Sequence, residues 1–295
     1  MFSYLKNIVA LISGLRDEAR QSAERLQHLV AHADRAAATN KEDLLIYLWG
    51  QTGRYSDTKS LSRFDASVYS QNGEDGMIAE IFNRIGTKDK FFVEIGIGDG
   101  QQNNTRFLLE QGWSGLWIDG DADGIARASD TFRDFIASGK LRIINSMISV
   151  DNINHVLESA GIQDGFDFLS LDIDQNTSHV WRSLQIKSRV SCLEYNASLP
   201  PSVSAESPYD ETASWDGTNW FGGSLKAFET IGRQKKMKLV GCDLNGVNAF
   251  FVHEHDAGDL FPASGSAEHH YEPPRYLRAF ARRGHPPASS ARNWV

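Results

Sequence analysis

Apolar and polar positions alternate between residues 67 and 254 in a pattern that predicts an α/β protein. Short apolar runs are separated by longer amphipathic stretches, which indicates strands joined by helices. Such an order favours a doubly wound, Rossmann-like parallel sheet of about seven strands with helices on both faces. The predicted strands span 91–95, 116–119, 141–145, 168–173, 190–195, 239–242 and 249–253. The predicted helices span 74–85, 104–111, 122–137, 153–159, 177–184 and 224–235.

Residues 1–40 carry a different apolar pattern, in which the spacing alternates between three and four residues with one break at Ser22. This spacing is typical of a coiled-coil seam and predicts a helix through which the chain forms a homo-oligomer. Two alternatives stay open: one long helix that packs on its own domain, and a helix that lies in a membrane interface. The seam positions are Leu5, Ile8, Ile12, Leu15, Ala19, Leu26, Leu29, Ala33 and Ala36.

Three further segments lie outside the α/β pattern. Residues 41–66 are predicted to form a helical linker to the main domain. Residues 197–223 form a connection too long for a plain loop, and connections of this length are commonly functional or disordered. Residues 255–295, rich in Pro, His, Arg and Ser, are predicted to form a loosely packed tail whose histidines lie on the surface.

Composition narrows the class of protein. Of the 295 residues, 41% are apolar and 23% are charged, as in ordinary soluble proteins. The net charge of −8 argues against a nucleic-acid-binding protein, which normally presents a basic face. No apolar stretch approaches the roughly 20 residues of a membrane helix. Cys192 and Cys242 fall in apolar runs, which is typical of core residues in a reducing compartment. These features predict a cytoplasmic protein.

A glycine-rich turn follows the first predicted strand. Glycines at 96, 98 and 100 remove side chains where the backbone must turn sharply and approach a ligand. Asp119 closes the second strand, about 20 residues later, where a carboxylate commonly accepts hydrogen bonds from ribose hydroxyls. Two ligands fit this arrangement: a dinucleotide and S-adenosylmethionine.

The acids of this turn favour S-adenosylmethionine. The dinucleotide motif is G-x-G-x-x-G, whereas here the glycines are evenly spaced and Asp99 lies between the last two. A carboxylate at that place would repel a pyrophosphate, but it would attract the sulfonium and ammonium groups of S-adenosylmethionine. The predicted cofactor residues of this turn are Glu94, Gly96, Gly98 and Asp99, with Asp119 on the ribose.

A second group of acids closes the fourth and fifth strands. Asp172 and Asp174 are two residues apart, which places both side chains on one face of a strand. Two carboxylates this close repel each other unless a proton or a cation lies between them. In one interpretation, either aspartate is a general base. In the other, Asp172 and Asp174, with Glu194 or Asn196 from the fifth strand, bind Mg²⁺ or Ca²⁺. Glu194 and Asn196 are also predicted to contact the substrate.

The long connection combines aromatic rings with hydrogen-bonding groups, an arrangement that suits sugars. Its predicted substrate-binding residues are Tyr209, Trp215, Asp216 and Trp220. The alternative is an aromatic plug that packs over the edge of the sheet.

Six separated segments carry a recognisable pattern along residues 68–253. They are SQNGEDG at 70–76, FVEIGIGDG at 92–100, NNT at 103–105, GWSGLWID at 112–119, DID at 172–174 and GVNAFF at 246–251. In this order, the segments resemble the FkbM-type group of S-adenosylmethionine-dependent methyltransferases. The resemblance implies a class I methyltransferase fold and O-methylation, often of sugars or glycosylated products, but does not identify the acceptor.

The resemblance also implies roles for five further residues. Gln71 and Glu74 would lie near the methionine part of the cofactor, although helix capping explains Glu74 equally well. Asn104 belongs to a family motif and is predicted to bind the cofactor. Asn145 and Ser146 close the third strand, where class I methyltransferases usually contact the adenine.

These observations predict an S-adenosylmethionine-dependent O-methyltransferase with a carbohydrate or glycosylated small molecule as acceptor. Methylation of an amine, a carboxylate or a phosphate-linked group on the same fold is an alternative, because a fold alone does not set the reaction. A scaffold that binds the cofactor without turnover and an oxidoreductase are further alternatives.

Overall fold

The computed structural model describes residues 53–275 and the single helical position Ser22. The predicted coiled coil, the start of the linker and the end of the tail therefore lie outside the described residues. Residues 53–275 belong to one compact unit.

The centre of this unit is a seven-stranded sheet in the order β3-β2-β1-β4-β5-β7-β6. Strand β7 is antiparallel to both neighbours, and the other described pairs are parallel. The predicted Rossmann-like sheet of seven strands is thus confirmed, and the strand order reverses between β1 and β4, where ligands bind in such sheets. The strands are β1 Phe91–Ile95, β2 Ser114–Asp119, β3 Leu141–Asn145, β4 Phe166–Leu171, β5 Ser188–Glu194, β6 Met237–Cys242 and β7 Asn248–His253.

Helices and 3-10 turns cover both faces of the sheet. Successive side chains of a strand point to opposite faces, so Phe168 and Leu169 of β4 enter different apolar cores. The α-helices are α1 Glu74–Ile85, α2 Arg106–Glu110, α3 Ala122–Thr131, α4 Arg133–Ala137, α5 Ile153–Ser159, α6 Thr177–Ser183, α7 Leu225–Gln234, α8 Glu254–Ala257 and α9 Ala267–His270. The 3-10 helices are Leu61–Phe64 and Asp174–Asn176. None of the helices in this part of the chain could cross a membrane.

Several elements begin or end one or two residues away from their predicted bounds, and two of the differences have a clear physical cause. The helix predicted over 122–137 is interrupted at Phe132, whose ring packs edge-on against Trp117 at 4.8 Å between centroids. Strand β4 ends at Leu171, not at 173, because Asp174 takes a left-handed backbone conformation (φ 50°) and starts a 3-10 helix.

The beginning of the tail is folded against the domain, which differs from the loose packing expected. Phe261 and Ala267 are buried, as is His270, so the expectation that the histidines all lie on the surface was wrong. The ring of His270 bonds the Ser264 carbonyl at 2.8 Å, and burial lowers the pKa of His270 to about 3. A proline- and histidine-rich composition did not reveal these contacts.

Cys192 and Cys242 are both buried and unpaired, which confirms their prediction as core residues. Cys192 lies in β5 and Cys242 ends β6, so each is enclosed by the apolar side chains of neighbouring strands.

Candidate functional site

The glycine turn after β1 is fixed by close backbone approaches. All three glycines have positive φ values, 86° at Gly96, 56° at Gly98 and 74° at Gly100. A Cβ atom on Gly96 would lie 1.6 Å from the Asp172 carbonyl oxygen, whereas one on Gly98 would meet nothing within 4 Å. Gly96 therefore allows the ends of β1 and β4 to meet, and Gly98 leaves open space beside the turn.

A cavity of about 290 Å³ opens beside this turn, at the carboxyl ends of β1 and β4. Seven of the ten predicted cofactor residues line it together with the predicted base Asp172. They are Gln71, Glu74, Glu94, Gly96, Gly98, Asp99 and Asn104. The remaining lining residues were not predicted: Asn72, Ile97, Gln102, Asn103, Ser170, Val247 and Asn248.

The walls of this cavity are polar and acidic. Four lining residues carry carboxyl groups and six carry carboxamides, and no Lys, Arg or His is among the lining residues that the structure describes. Such a wall favours a ligand with positive charge and hydrogen-bonding groups, and it disfavours a polyanion such as a pyrophosphate.

Glu94 anchors the turn that precedes α2. Its buried carboxylate accepts hydrogen bonds from the Asn104 N–H at 2.9 Å, the Thr105 N–H at 3.1 Å and the Thr105 hydroxyl at 2.5 Å. Burial raises the pKa of Glu94 to about 7, against the opposing effect of these donors. Glu94 thus lines the cavity, but its oxygens hold the protein backbone that forms the opposite wall.

Glu74 also lines the cavity, and its carboxylate likewise holds neighbouring protein groups in place. Its carboxylate accepts hydrogen bonds from the Asn72 backbone N–H at 2.7 Å, the Asn72 side chain at 3.0 Å and the Asn248 side chain at 2.7 Å. These bonds join the start of α1 to the start of β7. Gln71 also lines the cavity, and its amide donates to Gln102 at 3.2 Å.

The three residues predicted to hold the nucleoside lie outside the cavity. Asp119 accepts hydrogen bonds from the Gly98 N–H and the Asp121 N–H, each at 2.8 Å. Asn145 donates to the Asp119 carbonyl at 2.9 Å, and Ser146 follows it. Met147, which was not predicted, is 67% exposed beside Gly120. The ends of β2 and β3 therefore form a separate surface next to the glycine turn.

Asp172, Asp174 and Glu194 come together near the cavity, with one carboxylate oxygen of each within 4.8 Å of the others. We call them the acid cluster. The predicted reason for this proximity was wrong, because β4 has already ended at Leu171. Instead, the 3-10 helix turns Asp174 back, and the parallel pairing of β4 with β5 brings Glu194 alongside.

Desolvation raises the pKa of each carboxyl group in the acid cluster. For Asp174, desolvation and the charges of Asp172 and Asp119 raise the pKa to about 6. The pKa of Glu194 lies well above its usual value because of desolvation and its hydrogen-bonded neighbour Asp172. Desolvation also raises the pKa of Asp172. The cluster is therefore suited to hold or accept a proton near neutral pH.

Asn196 does not face the site, contrary to the predicted substrate contact. It is fully buried, and its amide donates to the carbonyls of Asn219 at 2.8 Å and Phe221 at 2.9 Å. Its side-chain oxygen accepts from the Ser198 N–H at 3.0 Å. Asn196 therefore holds the two ends of the 197–223 connection together.

The 197–223 connection is attached beside the acid cluster. Asn176, at the end of the 3-10 helix, donates to the Asp210 carbonyl at 2.8 Å, and the Ser207 hydroxyl donates to the Gln175 carbonyl at 2.9 Å. A Cβ on Gly222 would lie 3.3 Å from the Asp174 carbonyl oxygen. The connection therefore stays close to Asp174 at several points.

The predicted aromatic residues occupy different places in this connection. The Tyr209 ring packs edge-on against His179 at 5.7 Å, and its buried hydroxyl has no hydrogen-bond partner among the described residues. Trp215 is 42% exposed and Trp220 is half-buried. Asp216 accepts two hydrogen bonds from Thr218. None of these four predicted residues lines the 290 Å³ cavity.

Comparison with known proteins gives structural neighbours only. No family model and no curated protein matches the chain. An S-adenosylmethionine-dependent methyltransferase from Clostridium acetobutylicum ATCC 824 is 10% identical with a TM-score of 0.38, over 59% of this chain and 88% of its own. Magnesium protoporphyrin IX methyltransferase from Synechocystis PCC 6803 is 11% identical with a TM-score of 0.38, over 60% and 76%. The N-terminal domain of EvdMO1, crystallised in the presence of SAH and D-fucose, is 14% identical with a TM-score of 0.39, over 74% and 95%. At such TM-scores, the fold assignment depends on the strand order given above.

Proposed function

We propose that this chain is an S-adenosylmethionine-dependent methyltransferase that methylates a hydroxyl group of a sugar or glycosylated acceptor. The observation that carries the proposal is the acidic cavity at the glycine turn, which adjoins the acid cluster at the ends of β4 and β5. In an open α/β sheet, this edge is where a cofactor and its substrate meet.

The charge of the cavity supports this cofactor. Glu74, Glu94, Asp99 and Asp172 line it, and none of the described lining residues is cationic. S-adenosylmethionine carries a sulfonium and an ammonium group, both of which such walls attract. A dinucleotide would bring its pyrophosphate against Asp99, so NAD is disfavoured.

The acid cluster supplies the proton acceptor. Bound S-adenosylmethionine provides the electrophilic methyl group. Asp174, with a pKa of about 6, is mostly ionised at neutral pH and can accept the acceptor's hydroxyl proton as the new O–C bond forms. Asp172 lines the cavity and lies beside Asp174, so it orients the hydroxyl toward the cofactor side. Glu194 lies beside Asp172 in the cluster, and desolvation together with the charge of Asp172 raises its pKa.

A metal-assisted version uses the same residues. Oxygen atoms of Asp172, Asp174 and Glu194 lie within 4.8 Å of one another, a set that fits Mg²⁺, which prefers oxygen ligands. A bound ion would keep all three groups ionised and would acidify the acceptor hydroxyl.

The 197–223 connection supports a carbohydrate acceptor. It adjoins Asp174 and carries Trp215, which is 42% exposed, and the half-buried Trp220. Aromatic faces stack on the CH faces of sugars.

Calorimetric titration tests the cofactor first. S-adenosylmethionine and, separately, NAD are titrated into the full chain with and without magnesium. Binding of S-adenosylmethionine that is weakened by Asp119→Ala supports the proposal, since Asp119 is the predicted ribose ligand. Binding of NAD without any binding of S-adenosylmethionine would contradict the proposed function. Formation of S-adenosylhomocysteine with sugar, amine or carboxylate acceptors then separates O-methylation from the other methyltransferase reactions, and a scaffold from an enzyme.

We further propose that residues 1–40 form the homo-oligomer interface. Light scattering of the full chain and of Leu26→Asp, which places a charge in the predicted seam, tests this directly. Unchanged mass for the variant would contradict a coiled-coil interface.

A further inference from the structure

A second cavity, of about 260 Å³, lies at the edge of the sheet where β5 and β6 begin. Ser188 starts β5 and lines this cavity, whereas Glu194 ends the same strand in the acid cluster. Met237 starts β6 and pairs with His253, the last residue of the antiparallel β7, and both also line the cavity. A strand rises about 3.3 Å per residue, so the two ends of β5 lie about 20 Å apart. This second cavity is therefore separate from the cofactor cavity and from the acid cluster.

The second cavity is cationic, and we call it the basic cavity. Lys187, Lys235 and Lys236 line it together with His253, and no Asp or Glu is among its described lining residues. None of these three lysines forms an ion pair with another residue that the structure describes. The chain as a whole has a net charge of −8, so this concentration of positive charge is local. Such a wall attracts an anion.

Lys235 keeps donors available for a ligand. Its half-buried ammonium group donates one hydrogen bond, to the Leu184 carbonyl at 2.6 Å, and an ammonium group has three N–H donors. Desolvation and the charge of Arg182 lower the pKa of Lys235 to about 8, and no carboxylate opposes this shift. A bound anion would supply the missing opposite charge and stabilise the ammonium form.

Lys236 occupies a backbone position that favours glycine. It follows Lys235, the C-cap of α7, and has a φ value of 58°. Helices commonly end with glycine in this left-handed conformation, because a Cβ atom is disfavoured there. The chain instead carries a lysine that lines the basic cavity. A side chain kept in a strained conformation beside a cavity is typical of a functional position.

The charge and size of the basic cavity indicate the class of ligand. A phosphate group carries a charge of about −1.5 to −2 at neutral pH and three acceptor oxygens, which suits several ammonium groups better than the single charge of a carboxylate. Leu184, Ile186 and Met237 also line the cavity, so a small apolar group can accompany the phosphate. The volume lies just below the usual range of about 300–1,000 Å³ for ligand pockets, which favours a small molecule.

We propose that the basic cavity binds a phosphate group through Lys187, Lys235 and Lys236, as the free ion or as the monoester of a small organic molecule. This site goes beyond the proposed methyltransferase activity and does not depend on it, because it lies at the opposite edge of the sheet and shares no lining residue with the cofactor cavity.

Calorimetry of the full-length chain at constant ionic strength tests the class of ligand. The probes are inorganic phosphate, phenyl phosphate and benzoate, which carries the same ring with a single charge. We expect both phosphates to bind and benzoate to bind at least about 10-fold more weakly than phenyl phosphate. Tighter binding of phenyl phosphate than of inorganic phosphate identifies a monoester as the ligand, and equal binding identifies the free ion. Absence of phosphate binding, or benzoate binding as tight as that of phenyl phosphate, would overturn the proposal.

Lys236→Gly separates binding from folding. It removes one ammonium group and places glycine where the backbone favours it, so we expect phosphate binding to weaken about 10-fold while the melting temperature stays unchanged or rises. Lys187→Gln, at an exposed position of the same cavity, should weaken phosphate binding without changing the melting temperature.

The matched control is Lys90→Gly. Lys90 is exposed and has a comparable φ value of 52°, but it lies outside the basic cavity. This variant makes the same chemical change on the same kind of backbone, and it should bind phosphate as the wild-type chain does. Equal weakening by Lys90→Gly and Lys236→Gly would indicate an effect of net charge alone and would overturn the proposed site. Unchanged phosphate binding in both Lys236→Gly and Lys187→Gln would also overturn it.

Discussion

Strand β4 has an aspartate near each end, and the two have opposite surroundings: one is enclosed by hydrogen-bond donors and the other lies beside further acids. Asp167, at the amino end, is fully buried and accepts hydrogen bonds from three successive N–H groups, of Lys88, Asp89 and Lys90, at 2.8–3.0 Å. It also accepts one from Arg189 at 2.6 Å. Asp172, just beyond the carboxyl end, lines the cavity beside two other carboxyl groups.

The surroundings of these aspartates shift their pKa values in opposite directions. Burial alone would raise the pKa of Asp167, but the hydrogen bonds from Arg189 and the backbone outweigh it and lower the pKa. Desolvation raises the pKa values of Asp172 and of its neighbour Asp174. No cationic residue contributes to lowering either pKa. The amino end of β4 thus uses its acid to stabilise the fold, whereas the acids at the carboxyl end have raised pKa values, as the proposed proton transfer requires.

The largest expected effect is on catalysis at the carboxyl end. Asp172→Asn and Asp174→Asn remove the proton acceptor while keeping the shape of the side chain, so we expect methyl transfer to fall by about 10²–10⁴-fold. The measurement is kcat, obtained from the rate at which the methylated acceptor forms. Asp167→Asn is the control and should retain kcat per folded molecule. A comparable loss in Asp167→Asn would mean that the two ends of β4 are not separated in function.

The next effect is on stability at the amino end. Arg189 forms ion pairs with Asp167 and with Asp256, the second at 3.0 Å. Asp167→Asn removes the first of these pairs. Removing one partner of a buried ion pair costs about 3–5 kcal/mol, so we expect a loss near that size in the free energy of unfolding. Urea denaturation provides the measurement. Asp172→Asn should lose less than about 1 kcal/mol because it breaks no ion pair. A larger loss in Asp172→Asn than in Asp167→Asn would contradict the structural role of Asp167.

Changes of pH should act on the two ends with opposite signs. The lowered pKa of Asp167 contributes stability that is present above its unfolded pKa and is lost as pH falls through the folded value. The raised pKa of Asp174 favours the protonated folded state, so its contribution is present at low pH and is lost as pH rises through about 6. We therefore expect Asp174→Asn to gain roughly 1 kcal/mol relative to wild type between pH 4 and pH 7.5.

The same titration affects activity. Because the general base must be ionised, methyl transfer by the wild-type chain should decline as pH falls below about 6. Urea denaturation across this pH range and a pH profile of kcat/KM measure the two effects. A relative stability of Asp174→Asn that does not change with pH would contradict the assigned pKa.

The smallest expected effect concerns cations. If the acid cluster binds Mg²⁺, millimolar magnesium should stabilise the folded chain by less than about 1 kcal/mol, because binding at concentrations near the dissociation constant shifts the equilibrium only slightly. Thermal unfolding with magnesium or EDTA measures this. The shift should disappear in Asp174→Asn and persist in Asp167→Asn. A shift that persists in Asp174→Asn would place the cation elsewhere, and no shift in wild type would favour the metal-free base.

Much of the candidate site was predictable because it follows from strand ends. Gly96 and Asp172 come directly after buried strands, and Asp99 lies in the turn that Gly96 begins; parallel strands place such positions at one edge of the sheet. Asn72 and Asn248 were not predicted as cavity residues, because they reach the cavity through a helix start and a hairpin that are remote in the sequence. Asn196 was misassigned, since a polar residue at a strand end looks the same whether it faces a ligand or ties a loop.

The succession of strands and helices, the glycine turn and the acids that follow the strands were predictable from the amino-acid sequence, because hydrophobic period and backbone freedom are local properties. Which of these acids receive hydrogen bonds or a cationic partner depended on the folded structure. Glu94, Asp167 and Asp172 are alike as residues, but one holds a backbone turn, one pairs with Arg189 and one faces a cavity. The physical reason is that the free energy of a buried carboxylate depends on donors brought from distant segments, which no local pattern encodes.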